Sequence, residues 1–334
     1  MPKIVMDPAD KTVLRETTPG GVRSFITPTP SHFVLAALGI PRLSAEEWTV
    51  TVSGAVAQPQ ILSLQSIREL PARTMIVTLE CAGDPLVPDK PVRRVSTAKW
   101  RGVPLAHILE LAKPLSGSSH VWIDGADWGV YRPGTATAER VSEYRKDLML
   151  ERVRRNDVLL AYEMNDEVLP PEHGFPLRII VPGYYGTNSV KWVNKLVVAH
   201  GRPSGLFSSV LYNTADTVDG AIERHQVAEV QVNSMLTSHQ TDDVVSIGTH
   251  QIVGWAWGVH EVERVEVRVG RDSPWLEAKV GPRIDHAWQP FEAVWTASQT
   301  GRYIIFVRAT DSQGNVQPSD VHINQIARVE ITVV

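Results

Sequence analysis

Thr74-Met75-Ile76-Val77-Thr78-Leu79-Glu80-Cys81-Ala82-Gly83 is the stretch from which the rest of the chain is read. Its first six residues are β-branched or large and apolar, with no glycine or proline among them, which fits a strand. The strand leads directly into an acid, the sole cysteine and a small Ala-Gly pair. One cysteine cannot close an intramolecular disulfide, and it rules out cysteine-rich zinc and iron–sulfur sites. Taken alone, such a thiol is most simply a small buried hydrophobe. Its neighbours along the chain decide whether it is more than that.

Upstream, Trp48-Thr49-Val50-Thr51-Val52 alternates as a strand and stops at Ser53-Gly54, and Leu62 to Leu70 has helical spacing. The first 45 residues are rich in Pro and Thr (Thr27-Pro28-Thr29-Pro30) and read as an extended, wrapping segment. Downstream, Pro104 to Ala112 reads as a short helix opened by proline, a favoured first-turn residue. His120-Val121-Trp122-Ile123 is a strand running into Asp124-Gly125-Ala126-Asp127. Asp157 to Glu163 is an extended run followed by a turn at Asn165-Asp166. Leu177 to Val181 is a strand ending at Pro182-Gly183, and Lys195 to Ala199 is another. Strands and helices mix without regular β-α-β repetition, so the expected class is a mixed α+β domain rather than a doubly wound sheet. From about residue 228 the pattern changes to short strands with turns between them: 244–247, 251–257, 262–269, 275–280, 291–295 and 303–310. That spacing predicts an all-β, immunoglobulin-like sandwich. The expected domains are therefore 1–228 and 229–334.

Composition bounds the function. The 334 residues are 43% hydrophobic and 21% charged, with a formal net charge of −4. This is ordinary for a soluble protein of two domains. The acidic balance argues against a nucleic-acid partner. No run of about 18 apolar residues predicts a membrane span. The start, Met1 to Asp7, has no apolar h-region, so a cytoplasmic location is expected, with export of a processed form left open.

Five blocks in order give the chain a likeness. Thr78 to Gly83 resembles the strand and loop that present the metal-ligating cysteine in the sulfite oxidase family. Ser96 to Leu105, Leu159 to Asn165, and His173-Gly174-Phe175-Pro176-Leu177-Arg178 resemble the blocks that follow in that family, as does Ser189-Val190-Lys191-Trp192. The C-terminal part is similar to the family's dimerisation domain, through Val232-Asn233-Ser234, Gly254-Trp255-Ala256-Trp257 and Arg308-Ala309-Thr310-Asp311. The resemblance implies a molybdenum–molybdopterin cofactor with Cys81 as metal ligand, a soft thiolate suited to a metal also held by dithiolene sulfurs. It implies that Arg178 and Lys191 meet the cofactor phosphate, and that Asp127 accepts from pterin N–H groups. His173, Ser189 and Val190 match further cofactor contacts. Tyr212, in Leu211-Tyr212-Asn213, matches the tyrosine that points at the substrate face of the metal, making it with Cys81 the catalytic pair. Arg328 lies about where the family has a late arginine. A homodimer and a separate electron-transfer partner are also implied.

Two departures bear on substrate. Family sulfite oxidases carry an arginine after a Phe-Val pair, where this chain has Leu35 after Phe33-Val34. They carry a basic pair after the cysteine loop, where this chain has Asp84-Pro85-Leu86. Arg93, Arg94 and Arg101 are the nearby candidates to replace them. Sulfite is anionic and needs cations in a dry pocket. The primary expectation is oxo transfer to sulfite or a related sulfur compound. The alternatives are reduction of a sulfoxide, N-oxide or other oxo compound, and a non-catalytic protein that keeps the fold.

Overall fold

The computed structural model describes residues 12–18, 20–83, 94–131, 140–218, 221–319 and 324–334. Contacts divide the chain into two compact units. The first takes 1–15, 34–75 and 99–228; the second takes 16–33, 76–98 and 229–334.

In the first unit, the strand Val193–Ala199 sits inside a five-stranded sheet. It runs parallel to Thr49–Gly54 and antiparallel to His120–Tyr131. Gln60–Ser63 and Arg140–Met149 form the two edges. The alternation read from Trp48 onward places Val50 and Val52 fully inside, with their Thr neighbours turned outward. Trp48 is buried because its indole N–H finds an acceptor, the carbonyl of Val193 at 3.0 Å. The helix Leu105–Ala112 buries Leu105, Ile108, Leu109 and Ala112, the i, i+3, i+4, i+7 stripe of an amphipathic helix. Each large side chain so buried contributes about 1.5–3 kcal/mol. The helix Leu64–Arg68 begins at Ser63, whose hydroxyl accepts from the Ser66 amide at 3.1 Å.

The strand Leu159–Met164 pairs with Arg178–Ile180 on one side and with the Trp100 to Pro104 part of Val95–Pro104 on the other. Its unbroken run Leu159-Leu160-Ala161-Tyr162 is apolar because both faces are covered; none of the four is more than 3% exposed. Asn165 and Asp166 both take positive φ, as the turn expected there requires.

The second unit holds eight strands in the order Asn233–Leu236, Gly248–Trp257, Gln289–Ala297, Leu276–Val280, Val262–Val269, Gly301–Asp311, Ala327–Val333, Asp243–Val245. All neighbours are antiparallel except the last pair. Alternate residues Val265, Val267, Ile305 and Val307 fill its core. The Pro- and Thr-rich segment 16–33 is anchored within this unit. Trp255 stacks on Trp288 at 5.0 Å, and their indoles donate to the carbonyls of Val22 and Phe25.

The balance differs from a mixed α+β expectation. Strands dominate, and the α-helices have five to eight residues. The reason lies in two polar segments with no clear period. Arg140–Met149 and the hairpin Asn213–Val218 with Ala221–Gln226 are strands. Among the described residues no helix is long and apolar enough to cross a membrane.

Candidate functional site

Six of the residues singled out in the sequence lie within the first unit around the turn 170–174 and the segment 189–191. The short helix Pro171–His173 ends at Gly174, whose φ of +110° suits glycine alone. A Cβ there would stand 3.0 Å from the Cβ of Arg178 and 3.1 Å from that of Lys191. The glycine therefore lets two cationic side chains converge on one turn. Arg178, 5% exposed, donates to the carbonyl of His173 at 2.9 Å and to that of Ser189 at 3.3 Å. Its guanidinium also lies over the Trp100 ring, 4.7 Å from the centroid. Lys191 donates to the carbonyl of Glu172 at 2.9 Å and packs on Trp192. Ser189 accepts from the Val181 amide at 3.1 Å, and the Val190 carbonyl accepts from Ile179 at 2.7 Å. His173 is buried with them.

Asp127, 3% exposed, joins this group through Gly125. A Cβ on Gly125 would meet Asp127 Oδ1 at 2.4 Å and the Lys191 carbonyl at 2.8 Å, so only glycine permits the approach. Burial raises the Asp127 carboxyl well above its usual range, against the pull of Lys191. Burial, and then the Arg178 charge, lowers the Lys191 ammonium. Burial also lowers Arg178. Among the described residues Asp127 Oδ1 and Arg178 Nε have no hydrogen-bond partner.

Buried polar atoms left unfilled cost about 1–3 kcal/mol each. Among the described residues Arg178 and Lys191 donate to carbonyls; two such cations form a site for an anion, and an unfilled carboxylate oxygen is an acceptor for N–H groups. That donor set fits the molybdopterin implied by the resemblance: phosphate toward Arg178 and Lys191, pterin N–H toward Asp127.

Tyr212 lies on another loop of the same unit and takes φ +55°. A bulky residue in the left-handed region is uncommon, and such backbone is found where surrounding structure enforces it. Here the enforcement is visible. Arg202 donates to the Ser208 carbonyl at 2.6 Å, to Asn213 Oδ1 at 3.2 Å and to Asp147 Oδ2 at 3.2 Å. Asn213 donates in turn to the carbonyls of Ser208 and Leu211. Lys146, fully buried, donates to the Phe207 carbonyl at 3.1 Å and faces the Tyr212 ring at 5.8 Å. Sequence reading missed Lys146, Asp147 and Arg202. The only available signal was a Lys-Asp pair in a segment without clear periodicity.

Cys81 belongs to the second unit. It is 6% exposed at the end of the strand Arg73–Glu80, and its amide donates to the Arg94 carbonyl at 2.9 Å. Arg94 donates to the Gly83 carbonyl at 2.5 Å, and among the described residues its buried Nε has no hydrogen-bond partner. Glu80, also missed in the sequence, is 1% exposed and accepts from Asn233 Nδ2 and Trp257 Nε1, each at 2.8 Å. Thr78 accepts from the Trp288 amide at 2.8 Å. The residues before Cys81 are thus fixed by buried hydrogen bonds. Arg328 faces Phe306 across a C-terminal strand pair.

The candidate replacements for the absent arginines fare unevenly. Arg101 is a surface charge, half exposed and 3.7 Å from Glu163. Leu35 is partly buried in the strand Val34–Ala36. Arg93 and Pro85-Leu86 lie outside the described residues.

Comparison with known proteins gives the family. A family model described as an oxidoreductase molybdopterin binding domain matches residues 37–207, and one described as a Mo-co oxidoreductase dimerisation domain matches residues 224–332. A sulfite oxidase of Arabidopsis thaliana is 31% identical over 90% of this chain and 84% of its own length. An NADH nitrate reductase of Lotus japonicus is 31% identical over 89% of this chain. The chain spans only 37% of that nitrate reductase's length. In fold, the chain is similar to the sulfane dehydrogenase SoxCD of Paracoccus pantotrophus, with a TM-score of 0.81, 22% identity, and coverage of 98% of this chain and 86% of the other.

Proposed function

The chain belongs to the sulfite oxidase family of molybdopterin-dependent oxidoreductases, and from that premise we propose that it oxidises sulfite or a related sulfur compound, passing electrons to a separate acceptor. The observation that carries the cofactor part is the cluster of buried Asp127 and Arg178 with partly buried Lys191, and its unfilled carboxylate oxygen and guanidinium nitrogen. Likeness to a sulfite oxidase covering 84% of that protein supports the substrate.

When bound, the molybdenum group supplies two-electron redox chemistry coupled to transfer of an oxygen atom. The protein supplies position and electrostatics. Arg178 and Lys191 bind and orient the phosphate, Asp127 fixes the pterin by accepting its N–H groups, and His173, Ser189 and Val190 hold the local backbone. Cys81 gives the metal a thiolate. Tyr212 offers a hydroxyl that donates to a substrate oxygen.

Protein shown to be loaded with molybdenum is expected to reduce an artificial electron acceptor with sulfite, at turnover in the ordinary enzyme range of about 1–1,000 per second. The matches to nitrate reductases favour one second reading, in which the same site works reductively on an oxo compound. Loaded protein that ignores sulfite, yet oxidises a reduced dye with nitrate, a sulfoxide or an N-oxide, would replace the first reading by the second.

We also read the eight strands of the second unit as an immunoglobulin-like sandwich that pairs two copies of the chain, in line with its match to a dimerisation domain. Light scattering is expected to give twice the chain mass of 37.0 kDa. A monomer at micromolar concentration would exclude the pairing.

A further inference from the structure

Lys146 stands out among the residues that the family resemblance does not use. It has no exposed surface, and its strand Arg140–Met149 places it against the loop that carries Tyr212. Among the described residues its ammonium has one hydrogen-bond acceptor, the Phe207 carbonyl, and no carboxylate within ion-pair distance. A buried cation so sparsely compensated is costly.

On the strand of Lys146, Asp147 is the adjacent anion, and it is shared: Arg202 approaches its Oδ2 at 3.2 Å and His120, from the neighbouring strand, at 3.9 Å. Arg145, next in sequence, is occupied with Asp124 and Glu143. Arg202 is a second cation, and Tyr212 on the turn is the one titratable group whose ring faces the ammonium. Lys146 and Arg202 against Asp147 leave an excess of positive charge beneath the Tyr212 loop.

We infer that Lys146 is a positioning residue for Tyr212, holding the ring by its charge and making the hydroxyl a stronger hydrogen-bond donor toward an oxyanion substrate. The inference rests on the reading of Tyr212 as the substrate-facing hydroxyl. A cation facing an aromatic ring attracts its π face, which fixes the ring over the strained backbone. A nearby positive charge also favours the ionised form of a phenol, and a more acidic O–H is a better donor to an anion.

Burial draws the Lys146 ammonium down to about 8, against the raising effect of Asp147. The charge is therefore present below that pH and lost above it. In wild type, kcat/KM for sulfite is expected to fall as pH rises through about 8. In K146R, whose guanidinium stays charged, that limb moves to higher pH.

The test uses cofactor-loaded protein with tyrosine labelled by carbon-13 at Cζ; the seven tyrosines give seven resonances, and Y212F assigns one of them. In wild type the Tyr212 resonance is expected to shift as pH rises through about 8, where the facing charge is lost, and that step is expected to be absent in K146M and in K146R. K146M is also expected to lose about tenfold or more in kcat/KM for sulfite. A wild-type Tyr212 resonance with no step near pH 8, or a step that persists in K146M, with Y212F impaired, overturns the inference alone. A Y212F protein with unchanged kcat/KM overturns the placement of Tyr212 and the inference with it. Where K146M does not fold, K146R decides: an alkaline limb that stays at wild-type pH overturns the inference.

Discussion

Cys81→Ser is expected to abolish sulfite turnover while leaving pterin bound to the protein. The two parts of the result come from different residues. A thiolate is a soft, polarisable donor suited to a metal already held by sulfur, and a serine hydroxyl is neither soft nor ionised near neutral pH. Loss of that ligand should cost about 4 kcal/mol or more in the reaction barrier, roughly a thousandfold in rate. In the proposed reading pterin retention depends instead on Asp127, Arg178 and Lys191, which the substitution leaves intact. Two measurements check it: sulfite-dependent reduction of an artificial acceptor, and pterin and molybdenum per protein chain. A thermal melt controls for folding, because a buried hydroxyl at a 6% exposed position adds about 1–3 kcal/mol of cost if unpaired. Full turnover in the variant at equal metal content would show that the thiolate is not the metal's protein ligand.

The parts of this architecture that were legible in the sequence are those governed by local periodicity. Leu105 to Ala112 shows its helix because one stripe must be apolar, and Val262 to Val269 shows its strand because alternate residues enter a core. The paired turn at Asn165-Asp166 is visible because those residues tolerate left-handed backbone. Arg140–Met149 was not visible. Its Lys146 and Asp147 are buried polar residues whose hydrogen-bond partners lie 55 to 61 positions away, at Arg202 and Phe207. Hydropathy marks such residues as solvent-facing, and only tertiary partners make their burial tolerable. The division into units shows the same limit. Segments 16–33 and 76–98 group with residues beyond 228 through indole and threonine hydrogen bonds that no local pattern announces.

The site divides in the same way. Cys81, His173, Arg178 and Lys191 were singled out through the blocks that contain them, by resemblance rather than by physics. The structure adds the reason for Gly125 and Gly174, which make room for charges to meet. Lys146 and Glu80 could not be found by either route. Their roles depend on which groups face them across the fold.

Lys191→Met is expected to weaken cofactor retention and to stabilise the cofactor-free protein, two changes of opposite sign from one substitution. The cofactor-free fold carries the Lys191 ammonium desolvated and beside Arg178, and both effects lower its proton affinity. Methionine keeps much of the stem that packs on Trp192 and removes the charge. Replacing poorly compensated buried charge with an apolar side chain is neutral or stabilising by about 1–4 kcal/mol, and for units of this size each kcal/mol is worth about 2–4 °C in Tm. The sign with pH follows from the direction of the shift. A lysine whose pKa is lowered in the fold carries its full penalty at low pH, where it is charged in both folded and unfolded states. The penalty lifts as pH rises from the lowered value toward the ordinary lysine value. The Tm gain in K191M should therefore be largest in mildly acidic buffer and shrink as pH rises. Binding runs the other way. A phosphate needs the ammonium charged, so above the lowered value binding takes up a proton, and wild-type affinity falls as pH rises. Loss of the charge should cost about 2–5 kcal/mol of cofactor binding, roughly 30-fold to several thousandfold in affinity. K191M should also lack the alkaline decline, whereas the acidic decline, set by the raised Asp127 carboxyl, should persist. Melting curves of cofactor-free protein and pterin retention after dialysis, each across pH, read both halves. A variant that melts lower than wild type at every pH, or keeps pterin with an unchanged alkaline decline, would show that Lys191 is a structural cation and that the phosphate site lies elsewhere.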